Sequence, residues 1–164
     1  METTSNTLYW SVLYCLTTPR VVENINKELK EKVNGDRIIT MADKNDLVYI
    51  NATINEVQRL ANLLPLNVSH ATTEDVEING LRIPKDTIIV PQISCVLYDE
   101  KIFPDPHSFN PSRFIGDDGK LLKVEELVPF SIGKRQCLGE GLARMELFLF
   151  FANLFNQFEV YMHL

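Results

Sequence analysis

Apolar positions along the 164-residue chain recur first with a helical period, then in alternation, then with a helical period again. Residues 3–16 place Leu8, Leu13 and Leu16 at helix-compatible positions, and no capping residue precedes them. The pattern predicts a helix in which Met1 is already an internal position of something longer. The next helix, over residues 19–34, is cleanly punctuated: Thr18 as N-cap, Pro19 at the first helical position and Gly35 just past the end. Its stripe of Val21, Val22, Ile25, Leu29 and Val33 follows a one-face period. A third helix is predicted over residues 47–63, stopped by Pro65.

The period then switches to strands in a β region over residues 76–92. Val76-Glu77-Ile78 and Leu81-Arg82-Ile83 flank Asn79-Gly80, a two-residue hairpin signal, and Thr87-Ile88-Ile89-Val90 reads as a further strand ended by Pro91. Residues 103–114 combine Pro104, Pro106 and Pro111 with Phe103, Phe109 and Phe114, which predicts a rigid, partly buried meander. A last helix is predicted over residues 138–158, apolar almost all round, so it needs neighbours on several sides. The fold class is therefore mainly α with a small antiparallel β region, in one domain without repeats or linkers.

Composition narrows the function. Hydrophobic residues make up 45% and charged residues 23%, ordinary for a globular chain. A net charge of −6, with no basic tail, argues against nucleic acid as a partner. Cys15, Cys95 and Cys137 are an odd set without a CxxC pair, which fits neither a disulfide framework nor a structural zinc site. No signal-peptide pattern is visible, and the apolar run at residues 147–158 is far short of the roughly 20 residues of a membrane span. The sequons at Asn51 and Asn67 are read as chance occurrences.

One segment carries chemistry: Phe130-Ser131-Ile132-Gly133-Lys134-Arg135-Gln136-Cys137-Leu138-Gly139, a cysteine bracketed by glycines and followed by a helix. Helix polarity, Lys134 and Arg135 all favour thiolate, the metal-binding form. A phosphate loop requires Ser or Thr after Gly-Lys, and Arg135 stands there. Gly139-Glu140-Gly141 is only half of a dinucleotide fingerprint, and none of His70, His107 and His163 sits in a cysteine-protease context. A generic redox cysteine and a small buried cysteine both remain open on the residues alone.

The spacing of Phe130, Gly133, Arg135, Cys137 and Gly139 resembles the haem-binding loop of the cytochrome P450 family at all five of its fixed positions. The resemblance implies Cys137 as axial thiolate of haem b, Arg135 as donor to a haem propionate and Phe130 packed beside the sulfur. Three further segments follow the family's order. Glu56-Val57-Gln58-Arg59 is similar to its ExxR helix, where i,i+3 spacing puts both charges on one face, although such a pair is commonly a solvated one. Phe109-Asn110-Pro111-Ser112-Arg113-Phe114 resembles its meander, with Ser112 where Glu is usual, and implies that Glu56, Arg59 and Arg113 form a buried network. Asn67-Val68-Ser69-His70, with Ser69 where Pro is usual, implies His70 as a second propionate donor against the alternative of an ordinary loop histidine. Residues 61–70 would line one edge of the substrate pocket.

Glu2-Thr3 resembles the acid–alcohol pair of the oxygen-activating motif, without the small residues that precede it, and implies a proton-delivery role. The resemblance covers roughly the C-terminal third of a microsomal-type member, cut within its long central helix. It implies a monooxygenase acting on a small apolar organic substrate, with a flavin-containing NADPH reductase as electron donor. Lys120, Lys123 and Lys134 are candidates for a basic docking face. For the full-length protein it implies the cytosolic face of the endoplasmic reticulum membrane, held by an N-terminal anchor absent from this chain. Two rivals stand beside that reading: a fragment that binds haem by descent without catalysis, and a non-haem cysteine redox or binding domain.

Overall fold

The computed structural model describes residues 2–33 and 37–161. In chain order these form helices α1 (Glu2–Thr17), α2 (Pro19–Lys32) and α3 (Val48–Ala61), strands β1 (His70–Ala71), β2 (Val76–Ile78), β3 (Leu81–Ile83) and β4 (Ile88–Ile89), the short helix α4 (Ser94–Leu97) and helix α5 (Glu140–Gln157). Three 3-10 turns, Met41–Asp43, Pro111–Phe114 and Gly133–Arg135, punctuate the long connections. The mainly α class with a small antiparallel region is what is observed.

Helices α1, α2, α3 and α5 share one core, built on Ile25, Leu29, Leu47, Ile50, Phe148 and Phe151. Helix α2 buries Val21, Ile25 and Leu29, as its period predicts, while Thr18 caps without a side-chain hydrogen bond. The neighbouring Thr17 hydroxyl instead donates back to the carbonyls of Leu13 and Tyr14, at 3.0 and 3.1 Å. The predicted stop at Gly35 and the end of the 19–34 helix lie outside the described residues, as does Met1.

Helix α1 departs from its leucine pattern. Its buried stripe is Thr7, Ser11 and Cys15, and Leu13 faces outward. Small side chains let the backbones approach closely, and their hydroxyls turn inward on the helix: Ser11 donates to the Thr7 carbonyl at 2.7 Å and Thr7 to that of Thr3 at 2.9 Å.

Helix α3 begins without a capping side chain of its own at Leu47. Glu28 of α2 supplies the acceptors, taking hydrogen bonds from the Tyr49 and Ile50 amides at 2.7 and 2.9 Å. The helix ends at Ala61 because Asn62 turns left-handed at φ 39°, three residues before the proline expected to stop it. The hairpin β2–β3 forms around Asn79 and Gly80, both at positive φ (51° and 80°), as a primed turn requires. The strand expected at 87–90 shortens to β4 and pairs antiparallel with β1, not with the hairpin. Phe103 and Phe114 are buried in a second, smaller core with Ala52, Ile93 and Leu97.

Candidate functional site

The segment after α4 is held by a charge network. Arg59 and Glu56 are both fully buried, at 0% exposure, and Arg59 donates from Nε to Glu56 Oε2 at 2.7 Å and from Nη2 to Oε1 at 2.9 Å. Arg113 Nε joins Glu56 Oε1 at 3.0 Å and the Asn110 amide does so at 2.9 Å. The remaining guanidinium hydrogens reach carbonyls: Arg59 those of Leu97 and Pro106, at 2.9 and 2.7 Å, and Arg113 that of Pro104, at 2.9 Å. Arg59 also lies over the Phe103 ring, 5.3 Å from its centroid. The expected triad of Glu56, Arg59 and Arg113 is thus assembled and ties residues 97–113 to α3. The solvated-pair alternative for Glu56 and Arg59 is excluded by their burial.

The cysteine loop hangs from the end of that segment. The Ser131 amide donates to Val128 at 3.0 Å, and Ser131 and Gly133 take positive φ (65° and 77°), so the chain reverses tightly. Gly133 is the position where a side chain would be strained. The Cys137 amide then closes the loop on the Phe130 carbonyl at 3.0 Å. Gly139, in contrast, has φ −90°, and a Cβ there would meet Cys137 Sγ at 3.9 Å, an ordinary contact. The helix expected from residue 138 starts only at Glu140, and Leu138 is fully exposed. Phe130 is fixed from behind by Arg144, whose guanidinium sits 5.0 Å from the ring centroid and pairs with Glu140 at 2.6 Å.

Cys137 opens on a cavity of about 250 Å³ between the first turn of α1, the last turn of α3 and the loop itself. From the loop side it is lined by Pro129, Phe130, Arg135 and Cys137, from α5 by Ala143 and Leu147, and from α1 by Thr3, Thr4 and Thr7. Gln58, Ala61, Asn62, Leu63, Leu64, Asn67 and Val68 form the far wall. Thr3, Phe130, Arg135 and Cys137 are therefore brought together, whereas Glu2, His70, Gly133 and Gly139 are not on the wall. The edge expected at 61–70 is lined only as far as Val68. Sequence reasoning missed Thr7 and Ala143, and it gave no pocket role to Thr4, which closes the Glu2-Thr3 motif, or to Gln58, inside the Glu56–Arg59 motif. Gln58 was detectable, since it lies in the last turn of α3, directly before the edge expected at 61–70.

Arg135 is exposed and, among the described residues, has no hydrogen-bond or ion-pair partner, so its five donors are free for an anion. Gln58 Oε1, both amide atoms of Asn62 and Asn67 Nδ2 are buried at the same wall without partners. Among the described residues no group of three or more His, Cys, Asp or Glu converges on a metal. A lone sulfur cannot hold a bare cation, so a metal here must bring its other ligands with it, as a macrocycle does. A soft sulfur, a free guanidinium for carboxylates and apolar surfaces from Phe130, Leu147 and Val68 fit a haem.

All three cysteines are free. Cys15 is buried in α1, and burial pushes its thiol up to about 12, far from reactivity. Of the candidate docking lysines, Lys120 pairs with Asp118 at 3.5 Å and Lys123 with Glu125 at 2.6 Å, both pairs on the open surface. Among the described residues no helix is long and apolar enough to cross a membrane.

A family-wide sequence model described as Cytochrome P450 matches residues 1–164. The chain is 44% identical over 157 residues to Cytochrome P450 2U1 of Bos taurus, covering 96% of this chain and 29% of that protein. It is 41% identical over 157 residues to Cytochrome P450 2C3 of Oryctolagus cuniculus, with 96% and 32% covered. It is 44% identical over 158 residues to Cytochrome P450 2D20 of Mesocricetus auratus, again with 96% and 32% covered. The chain thus spans about a third of the length of these relatives.

Proposed function

Because the chain belongs to the cytochrome P450 family, we propose that it is the haem-binding portion of a haem-thiolate monooxygenase, with Cys137 as the residue that would hold the haem iron. The observation that carries this reading is the placement of Cys137 and Arg135 on the loop side of a cavity that Thr3 lines from α1. When bound, haem supplies dioxygen chemistry, and thiolate donation favours O–O cleavage.

The chain's own residues position and protect. The closed turn between Phe130 and Cys137 fixes the sulfur at the cavity wall, and backbone amides nearby tune such a ligand. Arg135 binds a propionate with its planar fork, and a Lys there would lose the bidentate geometry. His70 is the second proposed propionate donor; it is paired with Ile89 in the β1–β4 ladder, just past the end of the cavity wall at Val68. Phe130, braced by Arg144, is proposed to pack beside the haem on the cavity wall it shares with Cys137. Gly133, at φ 77°, gives the loop its shape, whereas Gly139, at φ −90°, leaves ordinary room beside the sulfur. The Glu56–Arg59–Arg113 network holds the meander rigid beneath the site. Glu2 and Thr3 are the proposed acid and alcohol, with Thr3 on the wall and Glu2 exposed behind it.

The apolar far wall of Leu63, Leu64 and Val68 supports a small apolar organic substrate that receives one oxygen atom. Electrons would come from a flavin-containing NADPH reductase, with Lys134 the candidate contact left unpaired among the described residues. For the full-length protein, the same family reading supports a location at the cytosolic face of the endoplasmic reticulum membrane. A second reading, haem binding without turnover, is favoured by the exposed position of Glu2.

The deciding measurement is the carbon monoxide spectrum of the reduced, haem-loaded protein. A red-shifted Soret band of thiolate ligation is expected, and Cys137→Ala should abolish it. Survival of the band in that variant would overturn the ligand assignment, and product formation by the loaded protein would dismiss the non-catalytic reading.

A further inference from the structure

We propose that the α3 wall of the Cys137 cavity selects a substrate whose apolar body ends in a neutral group that both donates and accepts hydrogen bonds, a primary carboxamide or a hydroxyl. The inference rests on the haem-thiolate reading and names the class of molecule that the same cavity takes.

Four polar atoms on that wall are buried and, among the described residues, have no hydrogen-bond partner: Gln58 Oε1, Asn62 Oδ1, Asn62 Nδ2 and Asn67 Nδ2. Gln58 and Asn62 are 6% and 5% exposed, and all three side chains line the cavity. A folded chain seldom leaves a buried amide unpaired, because its lost hydration goes uncompensated, so such a group calls for a partner from outside the chain. The wall is also held in place before any ligand arrives. Asn62 and Asn67 take positive φ (39° and 55°) on either side of a tight turn, in which the Asn67 amide donates to the Leu64 carbonyl at 2.8 Å. The Ser94 amide donates to the Pro65 carbonyl at 3.2 Å, and the Tyr98 hydroxyl to that of Leu60 at 2.9 Å. The Val68 amide donates to Asn67 Oδ1 at 2.7 Å, which fixes that oxygen on the backbone and leaves Nδ2 as the free end.

The balance of these atoms decides the ligand's chemistry. Two accept, Gln58 Oε1 and Asn62 Oδ1, and two donate, the Nδ2 groups of Asn62 and Asn67. An anion would set both acceptors against negative charge, and a cation would set both donors against positive charge. A carboxamide or a hydroxyl answers both kinds. A hydrocarbon answers neither and leaves all four atoms unpaired. Arg135, the one guanidinium on the cavity wall among the described residues, stands on the loop side, so an anionic edge belongs there and not at α3. The flanking Ala61, Leu63, Leu64 and Val68 take the apolar body beside the anchored end.

The test measures binding to the haem-loaded chain by equilibrium dialysis, with three probes of matched shape: hydrocinnamamide, hydrocinnamate and the hydrocarbon isopentylbenzene. The wild type should bind hydrocinnamamide about 30-fold more tightly than isopentylbenzene, the gain from two net hydrogen bonds, and more tightly than hydrocinnamate. Gln58→Met removes an acceptor, and Asn67→Asp keeps the left-handed turn and the Val68 bond while turning a donor into an acceptor. Each should cut the amide's advantage about 5-fold and keep the thiolate carbon monoxide band. Gln58→Met should also raise the thermal midpoint, because an uncompensated buried acceptor is gone. A fall in that midpoint would assign Gln58 to the fold instead of the ligand and overturn its place in the wall. Isopentylbenzene binding as tightly as hydrocinnamamide overturns the inference, and so does an amide preference that both variants leave intact. Tighter binding of hydrocinnamate would give the wall to anions and overturn it too. Absence of the thiolate band in the wild type sinks the haem-thiolate reading and the inference with it, whereas an unselective wall with the band present sinks the inference alone.

Discussion

Glu56→Gln tests the network that fixes the meander, and its cost follows from the contacts. The carboxylate accepts two bonds from Arg59, one from Arg113 Nε and one from the Asn110 amide, at 2.7 to 3.0 Å. A glutamine keeps one acceptor oxygen but turns an NH₂ toward the Arg59 donors. Arg59 is then a fully buried cation without a counter-charge, held by the one glutamine oxygen and the carbonyls of Leu97, Pro106 and Ser108. Removing one partner of a buried pair costs about 3–5 kcal/mol. Arg113 is nearer the surface, with its side chain 10% exposed, and its share is at most about 1 kcal/mol. The sum, about 4 kcal/mol, is a large part of the roughly 5–15 kcal/mol that holds a domain together. With a urea slope near 2 kcal/mol/M the unfolding midpoint should fall by about 2 M, read by far-ultraviolet circular dichroism with an unchanged slope. Replacing both Glu56 and Arg59 by Met should cost less than Glu56→Gln alone, because only Arg113, nearer the surface, loses its partner and no fully buried charge is left stranded. A midpoint shift under about 0.3 M for Glu56→Gln, within the range of a neutral surface change, would refute the reasoning.

Thiol reactivity should divide the cysteines: an alkylating reagent at neutral pH should modify the exposed Cys95 and Cys137 and spare Cys15, whose thiol is pushed up to about 12 by burial, until the chain unfolds. Mass spectrometry of the labelled protein reads this, and early labelling of Cys15 would contradict its place in the core. Burial raises the Glu28 carboxyl above its ordinary range, against the hydrogen bonds from Tyr49 and Ile50 that lower it. Folding therefore favours its protonated form, so its contribution to stability is full at low pH and is lost as pH rises through the raised folded-state value. Glu28→Gln should flatten that part of the stability–pH curve while lowering stability by about 1 kcal/mol through the weakened cap of α3. Calorimetry across pH measures both, and an unchanged slope would contradict the assignment.

The chain's own pattern determined the helices, the hairpin and the chemistry-bearing loop. The stripe from Val21 to Val33 and the Asn79-Gly80 turn are local signals, written in periods and backbone preferences that act over a few residues. The spacing of Glu56 and Arg59 also put both charges on one face before any fold was known. Only the tertiary structure could decide which of these faces met. The short β1–β4 pair has too few residues to show a period and exists because the chain returns beside His70. Helix α1 buries Thr7, Ser11 and Cys15 because its neighbours come close, which no hydrophobicity pattern announces. The α3 cap comes from Glu28, on the preceding helix. The same holds at the site. Cys137 was legible from its loop, since glycine and arginine spacing is a local constraint. That Thr3 and Thr4 face it, that Glu2 and His70 do not, and that Glu146 reaches Thr4 from the far end of the chain depend on packing across 142 residues of sequence.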